Sequence, residues 1–171
     1  GLSRMIAGYS WPWQSNKNSE LFDIEIESIQ LKWNSTNTDW INATNSAQEV
    51  GCIHTTQGYD LNFTGIIFGR EIGYDKIRKE ITVRPELYFD RNGKQSINNP
   101  DELKKYILNI YKTILLRGIR GTLIYACDPD LHEYLAQHIA TEKPEMSSVT
   151  DITSSTIKPF VNAVPIYDLV A

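Results

Sequence analysis

Apolar positions along this chain follow two periods, two and about 3.6, and the order in which they alternate lays out an α/β protein. Residues 4–10, Arg4-Met5-Ile6-Ala7-Gly8-Tyr9-Ser10, predict a short buried strand closed by Trp11-Pro12-Trp13. The polar stretch 14–20 is then a loop. Residues 22–31 alternate apolar with polar, which predicts one strand with a wet face. Residues 34–46 are rich in Asn and Thr and read as a surface connection with a short turn at Trp40-Ile41. Runs 49–54 and 64–70 are apolar on nearly every side chain, as in strands covered on both faces of a parallel sheet. Glu80-Ile81-Thr82-Val83 predicts a further strand in a hairpin with what precedes it, and Asp90-Arg91-Asn92-Gly93 a turn.

Asn99-Pro100 supplies a helix cap followed by proline at the first helical position, with Asp101 and Glu102 in the first turn. Leu103, Tyr106, Ile107, Ile110 and Ile114 then recur at helical spacing, while Lys104, Lys105, Asn109 and Lys112 face away. This helix is expected to end at Gly118 or Gly121, so that Arg117 and Arg120 lie at its end. Thr122 to Cys127 follows as a buried strand, and Asp128-Pro129-Asp130 caps a second helix to about Ala140. Residues 1–140 therefore form one domain, and residues 141–171, rich in Ser, Thr and Pro, an extended tail. Alternating strands and helices predict a sandwich on a largely parallel sheet, where ligands bind at the carboxyl ends of strands.

With 171 residues, 41% of them hydrophobic, the chain can bury a sizeable core, and no apolar run reaches the roughly 20 residues of a membrane span. The amino end has no secretory pattern, which predicts a cytoplasmic location. Cys52 and Cys127 sit in apolar runs and read as reduced thiols. A formal charge of −4 argues against a broad basic surface for nucleic acid and leaves room for a few placed contacts.

The chemistry concentrates in Cys52-Ile53-His54-Thr55-Thr56-Gln57-Gly58-Tyr59-Asp60, where a strand runs into hydroxyls, an imidazole and backbone amides suited to phosphate contact. Its plainer reading is a hydrogen-bonded polar turn. Together with Leu115-Leu116-Arg117-Gly118-Ile119-Arg120-Gly121, the turn resembles the C-terminal RecA-like motor domain of superfamily 1 helicases. More closely, the chain is similar to an uncharacterised family of DNA/RNA helicase-like proteins related to the helicase-like part of long Schlafen proteins. Residues 7–13, 49–58, 65–69, 115–121 and 164–169 carry this resemblance in family order.

The resemblance implies a RecA-like three-layer sandwich acting as the second motor domain of an ATP-dependent DNA/RNA helicase or translocase. It implies that His54 and Thr55 touch the nucleic-acid backbone, that Gln57 and Gly58 lie near the ATP phosphates, and that Asp60 meets the ribose. It further implies that Arg117, seconded by Arg120, is an arginine finger reaching the γ-phosphate across an interdomain cleft. An arginine near a helix end that merely meets the dipole is the plainer alternative. Trp11 and Trp13 either stack a base or anchor the core around Pro12.

No phosphate-loop motif and no paired acidic strand end occur, so ATP and Mg²⁺ are expected to bind the full-length protein and not this part alone. The chain accordingly reads as part of a larger polypeptide whose upstream RecA-like domain is its partner, together with DNA or RNA and no membrane. The family more often has Glu where this chain has Asp60, and Thr where it has Leu116. Those departures, with the acidic balance, support the alternative of a degenerate RecA-like regulatory module that binds nucleic acid or protein.

Overall fold

The period-2 runs become strands and the 3.6-period runs become helices over the residues that the computed structural model describes, 2–95 and 97–139. In chain order these are β1 (Ser3–Ala7), β2 (Ile24–Ile26), β3 (Ile29–Trp33), β4 (Glu49–Gly51), α1 (Ile53–Thr56), β5 (Leu61–Phe68), β6 (Ile72–Asp75) and β7 (Glu80–Val83). They are followed by α2 (Arg91–Lys94), α3 (Pro100–Leu115), β8 (Gly118–Ala126) and α4 (Pro129–His138). Six strands form one sheet in the order β2-β3-β4-β1-β5-β8, and β6 pairs with β7 as a separate hairpin. Every pairing in the large sheet is parallel except β2 with β3. The tail expected at 141–171, and the motif at 164–169, lie outside the described residues. Among those described, no helix is long and apolar enough to cross a membrane.

Three local readings of the sequence are corrected. The single strand expected over 22–31 is a hairpin, with Ile24 opposite Leu31 and Ile26 opposite Ile29. Its apolar parity breaks between Ile26 and Ile29, and Glu27 turns the chain with a φ of +53°. The strand expected over 49–54 stops at Gly51, and Ile53 and His54 open α1 instead. The helix expected to reach Gly118 or Gly121 ends at Leu115, so Arg120 lies within β8 and Arg117 in the link before it.

α3 forms as its caps dictate, with the Asn99 side chain accepting a hydrogen bond from the Asp101 N–H and Pro100 at the first turn. Its apolar stripe, Leu103, Ile107, Ile110, Tyr111 and Ile114, packs against Ile6, Leu61, Ile66 and Phe68 on one face of the sheet. The opposite face buries Ala7, Ile67 and Val50 under Trp11 and Trp33, which meet edge to face with ring centroids 6.5 Å apart. Among the described residues this second face is thus covered by aromatic side chains from β3 and the loop after β1, while α3 and α4 both serve the first.

A buried polar network fixes where α3 sits. The Tyr111 hydroxyl donates to Glu71 Oε1 at 2.5 Å and accepts from the Gly69 N–H at 2.9 Å. Ser10 Oγ, beyond the end of β1, accepts from the N–H groups of Arg70 and Glu71 at 2.6 and 3.1 Å. The carboxyl ends of β1 and β5 are therefore tied to each other and to α3. A Cβ at Gly69 would run into the Glu71 carboxyl and Ser10, so glycine is what lets the group in. Glu71 is fully buried, with the Ser10 hydroxyl beside its carboxyl as well as Tyr111. Burial pushes its carboxyl pKa upward, against the pull of the Tyr111 hydrogen bond.

Truncating Ile114, which has no exposed surface, to alanine is expected to cost about 2–5 kcal/mol in urea denaturation. Because the folded-state pKa of Glu71 is raised, its neutral form contributes stability that is present below the unfolded carboxyl range and is lost as pH rises through the folded value. Stability measured against pH should therefore show Glu71→Gln gaining on the wild type as pH rises above about 4.3. A constant difference would contradict this.

Candidate functional site

α1 is a single helical turn made by its own hydroxyls. The Cys52 N–H donates to Thr55 Oγ1 at 3.1 Å, and Thr55 Oγ1 lies within hydrogen-bonding distance of the Cys52 carbonyl and Asn34 Oδ1. Thr56 donates to the same carbonyl at 2.9 Å. Both threonines are buried, so Thr55 presents no surface to a nucleic-acid strand. The chain leaves the turn through Gly58, whose φ of +86° strongly favours glycine, and Gln57, Gly58 and Asp60 are exposed there.

His54 projects from α1 with about half its side chain exposed, and its Nε2 lies 2.9 Å from Oδ2 of the nearly buried Asp90. Asp90 caps α2 by accepting from the Gly93 N–H through Oδ1 at 3.1 Å, and its Oδ2 also accepts from the Tyr88 hydroxyl at 3.3 Å. Burial, and next the Asp90 charge, push the Tyr88 phenol pKa far upward, so it remains a donor. The Tyr9 ring supports the imidazole from 5.9 Å.

Arg117 arrives from the end of α3 and lies over the same turn. Its Nη1 donates to the Tyr59 carbonyl at 3.4 Å and sits 4.0 Å from Asp60 Oδ1. The Arg117 side chain is only 18% exposed, whereas Asp60 is 71% exposed, so this long ion pair is weak. Arg117 Nε is buried without a partner. Between α1 and α3 a cleft of about 330 Å³ opens, with Ile53, Tyr106 and Ile110 as apolar wall and His54, Gln57, Asn109, Thr113 and Arg117 as polar lining.

Folding thus gathers His54, Gln57 and Arg117 into one cleft with Gly58 and Asp60 beside it. It does not bring in the rest. Trp11 is a core residue, and Trp13 is half-buried against Trp33 and Tyr9 at 6.2 and 6.5 Å. Arg120 is exposed on β8 at the sheet's edge and does not line the cleft. Among the described residues no three His, Cys, Asp or Glu side chains gather to hold a metal. Asp90, Tyr88, Asn109 and Thr113 were not legible as site residues. The capping pattern at Asp90 was visible, but nothing local joins it to a histidine 36 positions away.

The family model for the Schlafen group 3, DNA/RNA helicase domain matches residues 1–128. This chain belongs to that Schlafen helicase family. Its match spans β1 through β8, including the whole turn, the cleft and Arg117. The Schlafen-family chain is also 37% identical over 143 residues to "Uncharacterized protein YPL245W" of Saccharomyces cerevisiae, covering 79% of this chain and 31% of that protein. It therefore spans about a third of the relative's length. No solved structure matches it significantly.

Replacing Thr55 by valine strands the Cys52 N–H inside the fold, and denaturation should register a loss of about 1–3 kcal/mol. A neutral result would show that the hydroxyl does not hold the turn.

Proposed function

We propose that this helicase-family domain is the second, RecA-like motor domain of an ATP-dependent DNA/RNA helicase or translocase. In this reading the cleft between α1 and α3 couples nucleotide to nucleic acid. The observation that carries it is the convergence of Arg117, from the end of α3, with His54 and Gln57, from the strand-end turn, on one cleft. Parallel sheets place ligands at the carboxyl ends of their strands, where α1 follows β4 directly, whereas Arg117 precedes β8 at the amino edge.

The donor set fits a phosphate. The Arg117 guanidinium, once released from the Tyr59 carbonyl, and the exposed Gln57 amide would supply hydrogen bonds to anionic oxygens, and ATP would add the phosphoryl group to be transferred. Arg117 would stabilise charge on the transferring oxygens, Gln57 and Gly58 would flank the phosphates, and Asp60 would meet the ribose. His54 would face the nucleic acid. With no acidic cluster among the described residues, Mg²⁺ would be held by the upstream RecA-like domain of the same polypeptide.

One observation favours the alternative of a binding module without motor activity. Arg117 is largely covered and tied to the Tyr59 carbonyl, so reaching across a domain boundary requires that contact to release.

In the full-length polypeptide, Arg117→Ala should lower the rate of nucleic-acid-stimulated ATP hydrolysis by about 10³-fold or more while strand binding persists. Unchanged hydrolysis would refute the finger, and binding without any hydrolysis in the unsubstituted protein would favour the module.

A further inference from the structure

The pairing of His54 with Asp90 fixes more than the position of a ring. An ionised carboxylate has no hydrogen to give, and Asp90 meets three donors, the Gly93 N–H, the Tyr88 hydroxyl and the imidazole. Nε2 of His54 must therefore carry a hydrogen. In the neutral ring Nδ1 is then an acceptor, and it makes no hydrogen bond to any described residue. Asp90 is only 5% exposed and cannot itself reach a ligand.

An acceptor at this place selects against a bare phosphate, whose oxygens also only accept. It suits a hydroxyl. The same cleft offers Arg117 and the Gln57 amide as donors, so its complement is a unit holding an anionic phosphate and a free hydroxyl side by side. We infer that His54 reads a ribose hydroxyl through Nδ1, with Asp90 as the positioning residue that sets its tautomer, so that the cleft prefers a ribonucleotide unit to its deoxy counterpart. This rests on the reading of the cleft as a nucleotide and nucleic-acid site and narrows it. The hydroxyl can belong to an RNA strand or to the ribose of ATP.

The test uses the full chain at about pH 8. One arm compares single-stranded RNA with DNA of the same sequence, and the other compares ATP with dideoxy-ATP. A neutral hydrogen bond predicts an affinity ratio of about 3- to 10-fold in favour of the hydroxyl-bearing member, and the arm in which it is seen identifies the source. Nitrogen NMR of the His54 ring should report the Nε2–H tautomer.

In Asp90→Asn the amide oxygen can keep the bond from Gly93 while its NH₂ faces Nε2, so the ring should switch to the Nδ1–H tautomer. The ratio should then fall to about one, with affinity for the deoxy ligand retained. His54→Phe leaves the Asp90 cap in place, tests the same loss without touching α2, and should also bring the ratio to about one. Equal binding in both arms with the Nε2–H tautomer present would overturn this inference and leave the motor-domain reading standing. A ratio that survives Asp90→Asn would overturn the role of Asp90. Absence of binding to all four ligands would overturn both readings together.

Discussion

The hydrogen bond from Tyr111 to Glu71 is the constraint on which the working geometry of this domain depends. Parallel strands β5 and β8 require a crossover, and α3 is the long helix of that connection. Its apolar stripe tells it which face of the sheet to cover. The stripe alone leaves sliding along that face inexpensive, because apolar contact is not directional. Tyr111, reaching the amide of Gly69 and the carboxyl of Glu71 at once, supplies the directional term. Ser10 extends the same tie to the end of β1.

Such a network is an expensive way to hold a helix. A fully buried carboxyl is less favourable than well-packed apolar side chains of similar volume would be. What it gives in return is register. The cleft takes Tyr106, Asn109, Ile110 and Thr113 from α3, and Arg117 follows two residues after its end, so an error in helix position would carry over into all of them. The opposite wall is equally constrained, since α1 is stitched by the Thr55 and Thr56 hydroxyls and His54 is braced by Asp90 and Tyr9. Two walls thus face each other across a space lined by one guanidinium, one imidazole, two amides and the Thr113 hydroxyl, with Ile53, Tyr106 and Ile110 as its apolar part.

The parts of this arrangement that were readable in the sequence are those governed by local rules. α3 and α4 follow from proline after a capping side chain and from apolar spacing, and the caps at Asn99 and Asp128 are those observed. The mixed α/β character and largely parallel sheet follow from the alternation of periods. The hairpin at Glu27 was hidden because charged residues keep alternation superficially intact while the apolar parity slips by one. α1 was hidden because a run such as Cys52-Ile53-His54 satisfies strand statistics until threonine hydroxyls close the turn. Asn109 and Thr113 line the cleft yet carry no sequence signal for it, because a cleft is itself wet and helical periodicity separates only buried from exposed positions. The Asp90 contact to His54 joins distant segments and leaves no local trace.

In the proposed function the walls of the α1–α3 cleft act as one ligand-binding surface. Amide chemical-shift mapping during titration with a single-stranded RNA and with ATP tests it most directly. The largest perturbations should fall together on His54, Gln57, Gly58, Asn109, Thr113 and Arg117, with Trp11 and the β8 edge around Leu123 unaffected. Perturbations confined to that edge or to the aromatic face, with the cleft silent, would contradict it.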